Sequence, residues 1–103
     1  MIEPLPVTFT TPAAQHIRKA ERWWRENRTL APNAVRQELE HALVLISRHP
    51  SIGSRATNVK MLGVRRIYLP TIKQHLYYHV LASPDRVEVL ALWHTRRGKG
   101  PPI

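Results

Sequence analysis

Gly63-Val64-Arg65-Arg66-Ile67-Tyr68-Leu69, Leu76-Tyr77-Tyr78-His79-Val80-Leu81 and Val87-Glu88-Val89-Leu90-Ala91-Leu92-Trp93-His94-Thr95-Arg96-Arg97 decide how this chain folds. Each run is rich in Val, Ile, Tyr or Trp, the residues that fit a pleated, half-buried surface. Pro70 closes the first run, and Ala82-Ser83-Pro84-Asp85 separates the second from the third. Prolines and Asx residues at those places are turn signals, so the three runs predict an antiparallel meander. Basic residues begin or end the runs, which marks the meander as a binding surface for something negative.

Upstream, the period changes from two to about 3.6. Val7-Thr8-Phe9-Thr10 is a short strand candidate, and Thr11-Pro12 reads as an N-cap followed by a first-turn proline. Ala13, Ile17, Ala20 and Trp24 then form one apolar stripe, with Arg18, Lys19, Arg22 and Arg25 mostly off it. Leu30-Ala31-Pro32-Asn33 breaks the pattern. A second helix carries Val35, Leu39, Ala42, Leu43 and Ile46 and must stop before Pro50. So short a link predicts an antiparallel helical hairpin. Residues 51–63 read as a loop, and the tail 98–103 as a flexible segment, unstructured when alone. The expected fold is α+β, in the order β-α-α-β-β-β, with the hairpin packed on one face of an antiparallel sheet. The other face or its rim would then present many of the cations. One domain, 1–103, accounts for the whole sequence.

The net charge of +9 is unevenly placed. Residues 1–53 carry seven Lys or Arg against five acids, and residues 54–103 carry nine against two. The excess on the strand half favours polyanions: nucleic acid, an acidic protein segment or an anionic membrane. Apolar runs such as Ala42-Leu43-Val44-Leu45-Ile46 are far too short to span a bilayer, so no membrane partner is expected. The first six residues lack the features of a signal peptide, which predicts a cytoplasmic protein. With no cysteine, disulfides, thiol catalysis and thiolate metal sites are excluded together.

His75 and His79 have the spacing of a helical metal pair, but on a strand they lie roughly 13 Å apart. His16, His41 and His49 have no carboxylate at ligand spacing, so no metal and no cofactor are expected. His94 stands apart, at the end of the last run and two residues before Arg96-Arg97. An imidazole that moves a proton, beside guanidinium groups that bind phosphate, is a set suited to phosphodiester cleavage. On spacing alone, a strand-end histidine with a solvated basic tail is favoured over that set. Arg65 and Arg66 alternate across the first run and point to opposite faces. Arg65, enclosed by apolar neighbours, would offer a fixed fork to a carboxylate or phosphate, with Glu38 or Glu88 as competing salt-bridge partners. Tyr68, Tyr77, Tyr78 and Trp93 are suited to base stacking, although aromatic residues in short strands are more often core.

Taken in order, these elements resemble the ParE/RelE superfamily of small toxins of bacterial type II toxin–antitoxin systems. The likeness rests on the early strand, the two amphipathic helices, His49-Pro50-Ser51-Ile52-Gly53, Gly63-Val64-Arg65, Tyr77-Tyr78-His79-Val80 and the closing run to Arg97. It covers nearly the whole chain. The resemblance implies a toxin neutralised by a cognate antitoxin with an acidic, apolar C-terminal segment, the two forming a hetero-oligomer. Pro-x-x-Gly and His-x-Arg-Arg look more like the ParE branch, which implies inhibition of DNA gyrase by protein binding and a part in plasmid stabilisation. Arg65, His94, Arg96 and Arg97 are then target- or phosphate-binding residues. The RelE branch implies instead cleavage of messenger RNA on the ribosome. Arg65 would hold the phosphate, His94 would move a proton, and Lys60 and Lys73 would supply further charge. Outside the toxins, the basic half would suit a plain nucleic-acid-binding module.

Overall fold

The computed structural model describes residues 3–94, 96 and 98–103. Its elements are β1 (Val7–Phe9), α1 (Thr11–Asn27), α2 (Ala34–Arg48), β2 (Ser54–Arg55), β3 (Arg65–Leu69), β4 (Gln74–Leu81) and β5 (Arg86–His94). The α+β class and the helical hairpin agree with the spacing of the apolar residues. The sheet holds five strands in the order β1-β5-β4-β3-β2. β3, β4 and β5 form the antiparallel meander, whereas β1 pairs with β5 in parallel, Val7 opposite Val87. The sheet is therefore mixed. β2 arises inside the segment read as a loop, where two residues pair with Arg65 and Arg66.

α1 starts one residue earlier than its sequence signal suggests. Thr10, not Thr11, is the cap, and its hydroxyl accepts the Ala13 N–H at 3.2 Å. This satisfies one of the donors that a helix start leaves without a partner. Thr10 also continues the strand edge, since its N–H reaches the Val89 carbonyl at 3.0 Å. α2 ends at His49, whose N–H returns to the Leu45 carbonyl just before Pro50. Both helices pack on one sheet face. Ala13, Ile17, Ala20, Val35, Leu39, Ala42 and Ile46 are buried there against Leu69, Leu76, Tyr78, Val87, Val89 and Leu92.

The opposite face departs from the expectation of an open, cation-bearing surface. Val64, Tyr77, Leu90 and Ala91 form a second buried cluster, with Ala56, Val59, Trp93 and Ile103 packed against it. The tail 98–103 has no helix or strand, yet it is packed rather than splayed. Pro101 is buried, and the Ile103 carbonyl accepts the Lys60 N–H at 2.9 Å. The Trp93 indole donates to the Lys99 carbonyl at 2.8 Å, and Gly100 lies directly against the Asn58 carbonyl. A sheet face carrying Tyr77, Leu90 and Ala91 needs a cover, and loop and tail supply it.

A β-bulge makes this two-sided sheet possible. Tyr77 pairs with Ala91 but Tyr78 pairs with Val89, so Leu90 is an extra residue in β5. Side-chain alternation shifts phase there. Val87 and Val89 face the helices, Leu90 and Ala91 face the other way, and Leu92 returns to the helix side.

Leu39 is buried in the main core, whereas Arg18 is exposed on the outer face of α1. Leu39→Ala should lower the free energy of unfolding by about 2–5 kcal/mol. Arg18→Ala should change it by no more than about 0.5 kcal/mol. Urea titration of both variants measures this, and similar shifts would mean that the helix faces are misassigned.

Candidate functional site

The Pro-x-x-Gly and Gly-Val-Arg motifs meet at Gly53. The hydroxyl of buried Tyr78 donates to the Pro50 carbonyl at 2.7 Å and accepts the Gly53 N–H at 3.0 Å. Arg65 Nη1 closes the arrangement by donating to the Gly53 carbonyl at 2.7 Å. Glycine is required at position 53 by proximity. A Cβ there would sit 2.7 Å from the Tyr78 hydroxyl and 2.9 Å from the Arg66 carbonyl. Burial raises the Tyr78 pKa above its ordinary value, and the Gly53 N–H and the Arg65 charge oppose that rise.

Arg65 is thus half-buried and engaged with backbone, paired with neither of the acids that sequence reasoning set against it. Glu38 reaches from α2 to the β3–β4 turn, where its carboxylate accepts the N–H groups of Thr71 (3.0 Å) and Ile72 (3.3 Å). Glu88 pairs with His79 at 2.8 Å. Arg66 points to the other face, near the Tyr77 hydroxyl at 3.5 Å. That hydroxyl accepts from Asn58 at 2.8 Å, tying down the covering loop. His75 lies on the same face beside Tyr68 and Tyr77, and its pKa is lowered by burial and then by the Arg66 charge. Among the described residues, no group of three or more His, Asp or Glu converges as a metal site would require.

Arg65 and His94 are not brought together. Arg65 is in register with Tyr78 and Val89, while His94 is in register with Gln74 and Leu69. Four residues along the strands separate the two levels, about 13 Å before the inter-strand steps are added. His94 and Arg96 do come together, the Arg96 N–H donating to His94 Nδ1 at 3.0 Å. Arg97 lies outside the described residues. Lys73 sits on the His94 side of the molecule and Lys60 beside the tail.

His94 and Arg96 border a groove of about 740 Å³ between α1, the β3–β4 turn and the end of β5. Its floor is apolar, with Ala20, Ile72 and Leu92 buried. Trp23 and Trp24 line it from α1, and Trp93 and His94 from β5. Lys19, Arg28, Lys73 and Arg96 bring four cations, and no Asp or Glu among the described residues lines it. The Arg28 guanidinium lies 5.2 Å from the Trp23 ring centre and 6.0 Å from that of Trp24. His16 fixes α1 to the strand edge beyond β1, its Nδ1 accepting the Leu92 N–H at 3.3 Å. Sequence reasoning missed most of this groove. One signal was available: adjacent residues on a helix point about 100° apart, so Trp23 had to leave the stripe that Trp24 serves.

A family model described as ParE toxin of type II toxin–antitoxin system, parDE, matches residues 7–98. The fold is similar to that of the isolated RelE toxin of E. coli, with a TM-score of 0.66 at 21% identity, covering 91% of this chain and 87% of that one. A chain of the intact E. coli RelBE toxin–antitoxin complex gives 0.66 at 22% identity, over 90% and 99%. The YoeB/ParE toxin from Agrobacterium tumefaciens gives 0.63 at 18% identity, over 87% and 98%. No curated protein sequence matches the chain.

The Tyr78 latch has a measurable weight. Tyr78→Phe removes the partner of the buried Gly53 N–H, an expected cost of about 1–3 kcal/mol. Gly53→Ala should also destabilise, because the obstructing atoms include backbone. Tyr78 has a raised folded pKa, so its contribution is full below the unfolded value of 10.0 and is lost as pH rises beyond it. The wild-type protein should lose stability above that pH, and Tyr78→Phe should lose less over the same interval. Denaturant melts across alkaline pH read both effects. Parallel slopes for the two proteins would exclude Tyr78 as their source.

Proposed function

We propose that this chain, which belongs to the family of ParE toxins of type II toxin–antitoxin systems, inhibits DNA gyrase by binding and performs no chemistry of its own. The observation that carries the reading is the separation of Arg65 from His94. A phosphodiester-cleaving site needs its phosphate clamp and its proton-transfer group within hydrogen-bond reach of one reacting centre. Here the clamp candidate is engaged with the Gly53 carbonyl, and the imidazole lies at the other end of β3. What remains at the end of β5 is a contact surface of cations and large rings, the residue types that dominate protein-binding hot spots.

A cognate antitoxin is the second partner. Similar folds occur in toxin–antitoxin complexes, the intact E. coli RelBE complex among them. A charge of +9 favours an antitoxin segment with acids for encounter and apolar side chains for burial. No helix among the described residues is long and apolar enough to cross a membrane.

The test is expression without antitoxin, with DNA supercoiling and transcript integrity followed side by side. Replacing Arg96 and Arg97 together by Ala should weaken gyrase inhibition about tenfold or more, the effect of losing a hot spot. His94→Gln should retain inhibition within a few-fold. Truncating the tail is unsuitable, because Trp93 and Lys60 hold it in place. Transcript cleavage that vanishes in His94→Gln while gyrase stays active would replace this reading with a ribosome-dependent nuclease.

A further inference from the structure

We propose that the groove between α1 and the end of β5 binds single-stranded nucleic acid, a base stacking on Trp23 and phosphates held by Lys19, Arg28 and Arg96. The inference goes beyond gyrase inhibition and shares Arg96 with the surface proposed to contact gyrase. Trp23 is a large apolar side chain left 47% exposed beside a groove, although burying it would be favourable. Its exposed ring carries a guanidinium at 5.2 Å. Flat rings interleaved with cations, and no carboxylate among the described lining residues, match the alternation of base and phosphate along a single strand.

Two other ligands fit less well. A duplex keeps its base faces stacked inside, so it would reach the cationic rim and leave the indoles unused. An acidic peptide would also use the rim. The faces of aromatic rings are electronegative, however, so carboxylates gain nothing from Trp23, whereas a nucleobase has its own π face for it. A volume of about 740 Å³ lies within the range of sites that enclose small organic groups.

The purified full chain should be titrated by fluorescence anisotropy into labelled oligothymidylate and oligouridylate of about ten nucleotides. A duplex of equal length and a glutamate-rich peptide serve as competitors. At least one single strand should bind tenfold or more tightly than the duplex and quench indole fluorescence; the preferred sugar identifies the natural strand. Trp23→Ala should weaken binding by about 5- to 150-fold, the equivalent of one base–ring stack, and Trp23→Phe should restore part of it. Lys19→Ala should reduce the salt dependence. Arg55→Ala removes the same charge outside the groove and should leave affinity within about twofold. Equal affinity for strand and duplex, or equal losses in Lys19→Ala and Arg55→Ala, would reduce the effect to nonspecific charge and overturn the proposal. Preferential binding of the peptide through Trp23 would overturn it in favour of an acidic protein segment. Far-ultraviolet circular dichroism of each variant separates lost binding from lost fold. Gyrase is absent from the assay, so a failure of the gyrase reading leaves this result intact.

Discussion

The hydroxyl of Tyr78 is the joint on which the geometry after α2 depends. It accepts from Gly53 and donates to Pro50, so the chain leaving α2 is bound to the middle of the sheet before it reaches β2. With that entry point set, Ser54 and Arg55 pair with β3, and Arg65 reaches back to the Gly53 carbonyl. A buried hydroxyl with both partners in place is stabilising, and the same hydroxyl with either one missing is costly. That asymmetry explains why proline, glycine and arginine occur together in this region. Proline stops the helix, glycine admits the phenol, and arginine holds the carbonyl on the far side of the loop.

Adjacent Tyr77 does the equivalent on the other face by accepting from Asn58. Two neighbouring strand residues thus tether one excursion of chain from opposite sides of the sheet. The bulge at Leu90 completes the division, presenting two successive apolar residues to the loop and tail before β5 returns to the helices. It also places His94 on the helix side with Leu92, beside Trp23 and Lys19 rather than under the tail. The groove is therefore a product of one extra residue in β5.

The helices and the meander were legible because each rests on a repeating pattern. Ala13, Ile17 and Ala20, or Val35, Leu39 and Ile46, state their burial by period alone. The parallel pairing of β1 was not legible, since three residues carry no sign of strand direction. Neither was the bulge, because Leu90-Ala91-Leu92 is apolar on every side and fits either phase. The N-cap fell one residue away from its signal because Thr10 and Thr11 are chemically equal, and only the bond to Ala13 distinguishes them. Charge pointed to the end of β5 through His94 and Arg96, which line the groove. The bond from Arg65 to the Gly53 carbonyl was not legible, since a guanidinium facing a backbone carbonyl leaves no trace in a list of possible acidic partners.

Arg65 also limits what mutagenesis can say about this family member. Its guanidinium belongs to the same hydrogen-bonded unit as Tyr78, and its removal leaves the Gly53 carbonyl without its donor. Loss of toxicity on replacing Arg65 would therefore follow from a loosened loop as readily as from a lost phosphate contact. The residues around the groove differ in kind. Lys19, Trp23, Arg28 and Arg96 are exposed, so their replacement changes charge and ring surface while the core beneath them, Ala20, Ile72 and Leu92, remains packed. The Tyr78 hydrogen bonds lie where the chain leaves α2, and the groove proposed for recognition lies where β5 ends. The sheet separates the two by the length of β3, so a variant can lose one and keep the other.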